Sequence, residues 1–246
     1  KGYKVTVLDN FMFKQNSLAH VCSDPNFEIV RGDIRDKEIM QDLMKSADVI
    51  IPLAALVGAP LCSADKIGAT TINRDAIEMM FDLSSKEQII LMPTTNSAYG
   101  TGDKDNFCTE ESELRPISQY AIEKVEIEKR LLDMPNAISF RLATVFGMSP
   151  RMRIDLLVND FTHRAFRDRF VVLFESHFKR NYIHVRDVAK VFLRDCTSDI
   201  AINPIDLGIF NIPLTDIMFV YPYIYYLVVM SYKGRYIAKN PKKYKG

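Results

Sequence analysis

Tyr120 and Lys124 stand four residues apart in the segment Tyr120-Ala-Ile-Glu-Lys124. On a helix that spacing puts both side chains on one face. An ammonium beside a phenol favours the phenolate. A free tyrosine ionises near pH of about 10, so it needs such a neighbour to act as a base at neutrality. Upstream, Thr94-Thr95-Asn96-Ser97-Ala98-Tyr99-Gly100 follows the apolar run Gln88–Met92. A hydroxyl at the C-terminal end of a buried strand lies where open parallel sheets bind ligands. Thr95 is thus placed to hydrogen-bond a reacting oxygen beside Tyr120. Alone, the Tyr120/Lys124 spacing reads more readily as an ordinary amphipathic helix, and the threonine segment also reads as a polar turn. Their order along the chain is what carries the chemical reading.

Three earlier segments suit a dinucleotide. Asp9 closes the apolar run Val5–Leu8 and precedes Asn10. An acid at the end of the second strand of a dinucleotide fold accepts hydrogen bonds from the adenine ribose hydroxyls. It also repels a 2′-phosphate, which selects NAD over NADP. Gly32-Asp33-Ile34 follows the next apolar run and can flank the adenine. Leu53-Ala54-Ala55 supplies small residues where backbone must approach a cofactor closely.

The elements needed to position these groups are legible in the pattern. Short apolar runs alternate with helical periodicity, which predicts a parallel sheet with helices on both faces. The predicted strands are Val5–Leu8, Phe27–Val30, Val49–Ala54, Gln88–Met92 and Ala137–Leu142. They are continuously apolar, as strands buried on both faces are. Phe170–Phe174 and Tyr182–Val185 read as a smaller accessory sheet. The predicted helices are Lys37–Ser46, Thr70–Leu83, Ser118–Leu132, Ile154–Arg167 and Arg186–Asp195.

Composition narrows the function classes. The 246 residues are 48% hydrophobic and 26% charged with a net charge of +1, which favours neither nucleic acid nor a membrane surface as partner. Cys22, Cys62, Cys108 and Cys196 lie far apart, as expected of reduced cysteines in a cytoplasmic protein. His20, His163, His177 and His184 show no metal-ligand spacing, so no metal site is expected. Glu110-Glu111-Ser112-Glu113 reads as a solvated loop. The basic cluster of Arg164, Arg167, Arg169, Lys179 and Arg180 suits a diphosphate better than nucleic acid, since no stacking aromatics interleave regularly. After about Ser198 the pattern changes. Ile217–Met230 is a 14-residue apolar stretch, below the roughly 20 residues that cross a bilayer. A buried or poorly folded tail, a membrane-associated tail and a segment from a damaged reading frame all stay open.

The motifs together resemble the extended short-chain dehydrogenase/reductase family, in its NAD-dependent epimerase/dehydratase branch acting on nucleotide sugars. The resemblance runs from Lys1 to about Arg194. It rests on VLDN at 7–10, GDI at 32–34, LAA at 53–55, Asn73 in INRDA, TTNSAYG at 94–100, YAIEK at 120–124, RLATVFG at 141–147 and RNYIHVRDVA at 180–189. More finely, PLAALVGAP, CTEES, RPISQY and SPRMRIDLLVNDF are similar to bacterial capsule enzymes that oxidise C4 of a GDP-linked heptose.

The resemblance implies an α/β, doubly wound, Rossmann-like sheet over residues 1–147. A small substrate-binding region over 148–198 and an atypical tail over 199–246 follow it. It implies NAD as cofactor, a nucleotide-diphosphate sugar as substrate and a homodimer. Tyr120 would be the general base, Lys124 its partner and a ribose ligand, and Thr95 the orienting hydroxyl. Asn73 would brace the cofactor–lysine region, Arg180 would meet the diphosphate, and Asn159 and Asn96 would join it at the substrate. An arginine suits a diphosphate because its planar fork pairs two oxygens at once.

The chain departs from the pattern in three places. No GxxGxxG or GxGxxG occurs, so the chain reads as opening inside the fold and is expected alone to bind NAD poorly. Asn96 and Ser97 stand where dehydratases of the family carry an Asp-Glu pair, which disfavours loss of water. The tail does not match the family's substrate-closing segment. Epimerase and dehydrogenase both remain open, as does a non-catalytic relative acting as a binding protein.

Overall fold

A computed structural model describes residues 2–101, 108–173, 179–196, 205–207 and 209–213. The chain divides into two compact units. The first takes Lys1–Ala143 and Asp187–Leu207, the second Thr144–Arg186 and Gly208–Gly246. The apolar stretch at 217–230 and the lysine-rich end lie outside the described residues.

In the first unit β1 (Val5–Asp9) and β2 (Phe27–Arg31) form a parallel pair. A parallel sheet runs in the order β3 (Val49–Ile50), β4 (Ile89–Thr95), β5 (Ala137–Leu142), β8 (Ile205–Leu207). Alternation along β4 sorts its side chains by face. Ile90 and Met92 join Met40 and Met44 of α1 (Lys37–Met44), Ile77, Met80 and Phe81 of α4 (Ala76–Leu83) and Ile127 and Leu131 of α5 (Gln119–Leu131). Leu91 points the other way, with Ile138 and Phe140, onto Phe192 of α7 (Val185–Asp195). Helices thus cover both faces, as the continuous apolar runs require. Leu8 and Ile34 pack against the first of these clusters, which ties the β1–β2 pair to the same core.

The second unit carries β6 (Thr144–Phe146), α6 (Leu157–Arg167), β7 (Lys179–His184) and β9 (Ile209–Pro213). β7 pairs parallel with β6 and antiparallel with β9.

Several elements differ from the sequence reading. The strand expected at Val49–Ala54 stops at Ile50, two residues before Pro52, which has no N–H to offer a ladder. Residues 170–173 form no strand, and their approach is bent by Arg169 in left-handed backbone (φ 65°). Helix α2 (Ala59–Ala64) was not expected, and α3 (Lys66–Thr70) leads into α4 through a π turn at Thr71–Asp75. β1 and β2 are half-exposed to exposed rather than buried on both faces.

Candidate active site

Helix α5 starts where Ser118 caps it, accepting from Ala121 N at 3.2 Å. That cap fixes the register in which Tyr120 and Lys124 follow. Tyr120 is half-buried and packs against the cluster of Leu56, Cys62, Ala69 and Ile72. Lys124 is 4% exposed and its Nζ donates to Pro93 O at 3.3 Å. Pro93 lies on β4 two residues before Thr95, so the lysine is anchored beside the strand end that carries the candidate hydroxyl. Burial, the largest influence, pulls the Lys124 pKa down to about 8, with Cys62 and Glu123 acting in the opposite direction.

Thr95 is buried, and its Oγ1 accepts from Ser97 N at 3.1 Å. This bond ends the strand and opens the short turn Asn96–Tyr99. A hydroxyl that accepts there keeps its hydrogen to donate. Gly100 closes the turn with φ 69°, and a Cβ there would lie 2.3 Å from Arg115 O. Only glycine fits both the backbone angle and the close approach.

Behind Thr95 lies a buried polar network that the sequence reading missed. Glu128 and Arg141 form an ion pair at 2.6 Å, with side chains 3% and 4% exposed. Glu128 also accepts from Ser139 Oγ at 2.5 Å and Thr94 Oγ1 at 3.2 Å. Arg141 donates to Tyr99 Oη at 2.7 Å and Glu110 O at 3.1 Å. Burial disfavours the guanidinium charge, but Glu128 and Tyr99 outweigh it and hold the Arg141 pKa above its ordinary value. One network therefore joins α5, β4, β5 and the Tyr99 turn. A signal existed: Ser139 and Arg141 alternate on one side of an apolar strand, and Glu128 follows Lys124 by one helical turn.

Asn73 sits fully buried in the π turn. Its Oδ1 accepts from Leu56 N and its Nδ2 donates to Leu56 O, both at 2.9 Å, with Cys62 Sγ at 3.8 Å. It thereby pins the backbone just after Leu53-Ala54-Ala55. Cys62 donates to Leu56 O at 3.2 Å, and burial, first among its influences, pushes its thiol pKa up.

At the end of β1, Asp9 Oδ1 accepts from Phe11 N at 2.7 Å and Asn10 Oδ1 from Met12 N at 3.0 Å. Phe11 takes left-handed backbone there (φ 54°). Asn10 Nδ2 donates to Asp33 Oδ2 at 3.2 Å, so the candidate adenosine residues are brought together. Arg35 grips both Asp33 oxygens, at 2.8 and 2.7 Å, and holds that carboxyl well below the usual range.

Asn159 and Arg180 lie in the second unit. Asn159 is buried, with Oδ1 accepting from Gly147 N at 3.0 Å and Nδ2 donating to Arg153 O at 2.9 Å. One amide hydrogen and one lone pair remain for other partners. Arg180 is exposed on β7. Gly147 has φ 117°, and a Cβ there would meet His184 Nε2 at 2.7 Å. Among the described residues no cluster of three metal-ligating side chains occurs, and no helix is long and apolar enough to cross a membrane.

The residues present fit both ends of a dinucleotide. Asp9 and Asn10 stand together at a strand end, and a buried ammonium stands on the Tyr120 helix. Leu53 is 70% exposed, an apolar surface that a ring can cover.

The sequence pattern of the NAD dependent epimerase/dehydratase family matches residues 1–208. The chain belongs to that family. It is 28% identical over 227 residues to the low-salt glycan biosynthesis protein Agl12 of Haloferax volcanii, covering 85% of this chain and 68% of that protein. It is 24% identical to a dTDP-glucose 4,6-dehydratase of Streptomyces niveus, covering 76% of this chain and 57% of the relative. The crystal structure of a Bacillus anthracis dTDP-glucose 4,6-dehydratase in complex with NAD superposes with a TM-score of 0.73 at 20% identity, covering 89% of this chain and 73% of that one. That likeness establishes the doubly wound Rossmann fold.

Proposed function

We propose that this chain carries the oxidation site of an NAD-dependent nucleotide-sugar epimerase or C4-dehydrogenase. The observation that carries the reading is the buried Lys124 ammonium, fixed to Pro93 O on the helix that holds Tyr120. When bound, NAD supplies the acceptor for the hydride leaving C4 of the sugar. Tyr120 Oη, as phenolate, takes the proton from the C4 hydroxyl. Lys124 stabilises that phenolate by its charge. The Thr95 hydroxyl hydrogen-bonds the same sugar oxygen and holds it in line.

Residues 1–147 are the cofactor-binding part in this reading. Asp9, Asn10, Asp33, Ile34, Leu53, Ala54 and Ala55 hold the dinucleotide, and Asn73 steadies the last three through Leu56. Residues 148–198 are the substrate-binding part. Arg180 and Asn159 are the diphosphate-binding candidates there, and Asn96 is the substrate-binding candidate of the Thr95 turn in the first unit. Dehydration is disfavoured, although relatives include dehydratases. Asn96 and Ser97 carry no ionisable group to expel water with. The protein acts as a homodimer.

Two measurements test the proposal. Heating the purified protein and reading released NAD or NADH by absorbance tests the cofactor assignment: bound cofactor supports an enzyme, and none supports a non-catalytic relative. Tyr120→Phe should abolish NADH formation with UDP-, GDP- or dTDP-sugars, read by fluorescence, while sugar binding persists. Rates in Tyr120→Phe equal to wild type would remove Tyr120 from the reaction.

A further inference from the structure

The guanidinium of Arg141 is buried on β5 and divides its donors between two tasks. Nε and Nη2 serve the Glu128 carboxylate, at 2.6 Å from Nη2 to Oε1 and 3.1 Å from Nε to each oxygen. These two nitrogens form the edge of the planar fork that matches a carboxylate. Nη1 lies outside that pairing. It donates to Tyr99 Oη at 2.7 Å and to Glu110 O at 3.1 Å. Tyr99 is the last residue of the turn that Thr95 opens. Thr94, just before Thr95, donates its hydroxyl to Glu128 Oε2 at 3.2 Å. One ion pair therefore holds the chain immediately before Thr95 and again at the far end of its turn. Between those two holds the backbone has little slack. Ser97 N closes on Thr95 Oγ1 at 3.1 Å, Ala98 O accepts from Arg115 N at 2.8 Å, and Gly100 lies against Arg115 O. Glu128 sits one helical turn after Lys124, so both holds refer the turn to the helix that carries Tyr120.

We infer that Arg141 is a positioning residue for the Thr95 hydroxyl, acting through Tyr99 Oη; this rests on the Tyr120/Thr95 site proposed above. An ion pair that served the core alone would need only the Nε/Nη2 edge. Nη1 extends the pair to the turn, and the Tyr99 hydroxyl passes the restraint to the backbone that places Thr95. A lysine could balance the Glu128 charge, but as a point charge it has no second edge for Tyr99.

Tyr99→Phe in the full chain removes the hydroxyl and keeps both the ring and the Glu128–Arg141 pair. The first readout is hydrogen exchange of the Ser97 amide by NMR, because that N–H is the donor to Thr95 Oγ1. Tyr99→Phe should speed this exchange roughly fivefold. Ile138→Val trims the apolar face of β5 opposite Arg141 and controls for general loss of stability. It should leave the Ser97 rate in place. Arg141→Lys should match the Tyr99→Phe rate rather than the wild-type one. Should Arg141→Lys not fold, Tyr99→Phe decides alone. Where turnover is measured, Tyr99→Phe should lower kcat roughly tenfold with little change in KM for the nucleotide sugar. It should lower kcat no further in a Thr95→Val background, because both changes then act on one hydroxyl. An unmoved Ser97 rate in Tyr99→Phe, an equal rise in Ile138→Val, or additive losses with Thr95→Val overturns the proposal. The exchange measurement needs no turnover. A chain inert toward every sugar whose Ser97 amide still loosens in Tyr99→Phe would count against the oxidation site and not against the clamp on the turn.

Discussion

Lys124 shows how a functional group sets its own stability cost. Its pKa of about 8 in the folded chain lies below the ordinary 10.5. Between those values the unfolded chain binds more protons than the folded one, so this group makes stability rise with pH across that window. Below pH 8 the buried ammonium is a standing penalty. Lys124→Met combined with Glu123→Leu, which removes both buried charges together, should therefore stabilise the chain at pH 7 by roughly 1–3 kcal/mol while ending any catalysis. The gain should shrink as pH climbs from 8 toward 10.5. Urea melts of both proteins at pH 7 and pH 9.5 check this, and a stability difference that is the same at both pH values would contradict it.

At the scale of elements, the Glu128–Arg141 pair joins α5 to β5. Arg141→Leu should cost about 3–5 kcal/mol, because it strands a buried carboxylate. The double variant Arg141→Leu with Glu128→Leu should cost less than the sum of its parts, since it removes both charges together. Thermal melts of the singles and the double give the coupling directly. This network also marks where reading the sequence ran short. Apolar continuity located β4 and β5, and Ser118 located the start of α5. The motif at 94–100 and the Tyr120/Lys124 spacing put the candidate groups on a strand end and a helix face. Glu123, Glu128 and Arg141 were passed over because a charged residue in a helix or strand reads as solvated until its long-range partner is known. Here the partners lie on other elements, up to 53 residues away for Thr70 and Glu123. The π turn that buries Asn73 has no local signature, because the extra residue is accommodated by packing rather than by propensity. Helix α2 escaped for a related reason: six residues including Pro60 make no periodic stripe. Pro52, by contrast, was visible and should have shortened β3.

Across the whole molecule, order is uneven. β4 and β5 bury Leu91, Met92, Ala137 and Phe140 completely, whereas the side chains of β1 are half-exposed to exposed. Local opening follows such differences in burial. Native-state hydrogen exchange should therefore find the amides of Leu91, Met92 and Phe140 among the slowest and those of Val5 to Asp9 among the fastest in strands. Uniform protection across both sheets would show that the first unit opens only as a whole.

Among the described residues β1 pairs with β2 alone, and β3 with β4 alone. No strand among the described residues pairs with the second flank of either, and Val5 adds an exposed apolar side chain. Such flanks recruit strands from neighbouring molecules. Crowding should therefore turn this chain turbid well before heat unfolds it, as light scattering against concentration would record. A lysine in place of Val5 should delay the clouding without altering the melt, because like charges repel each other across any newly formed seam.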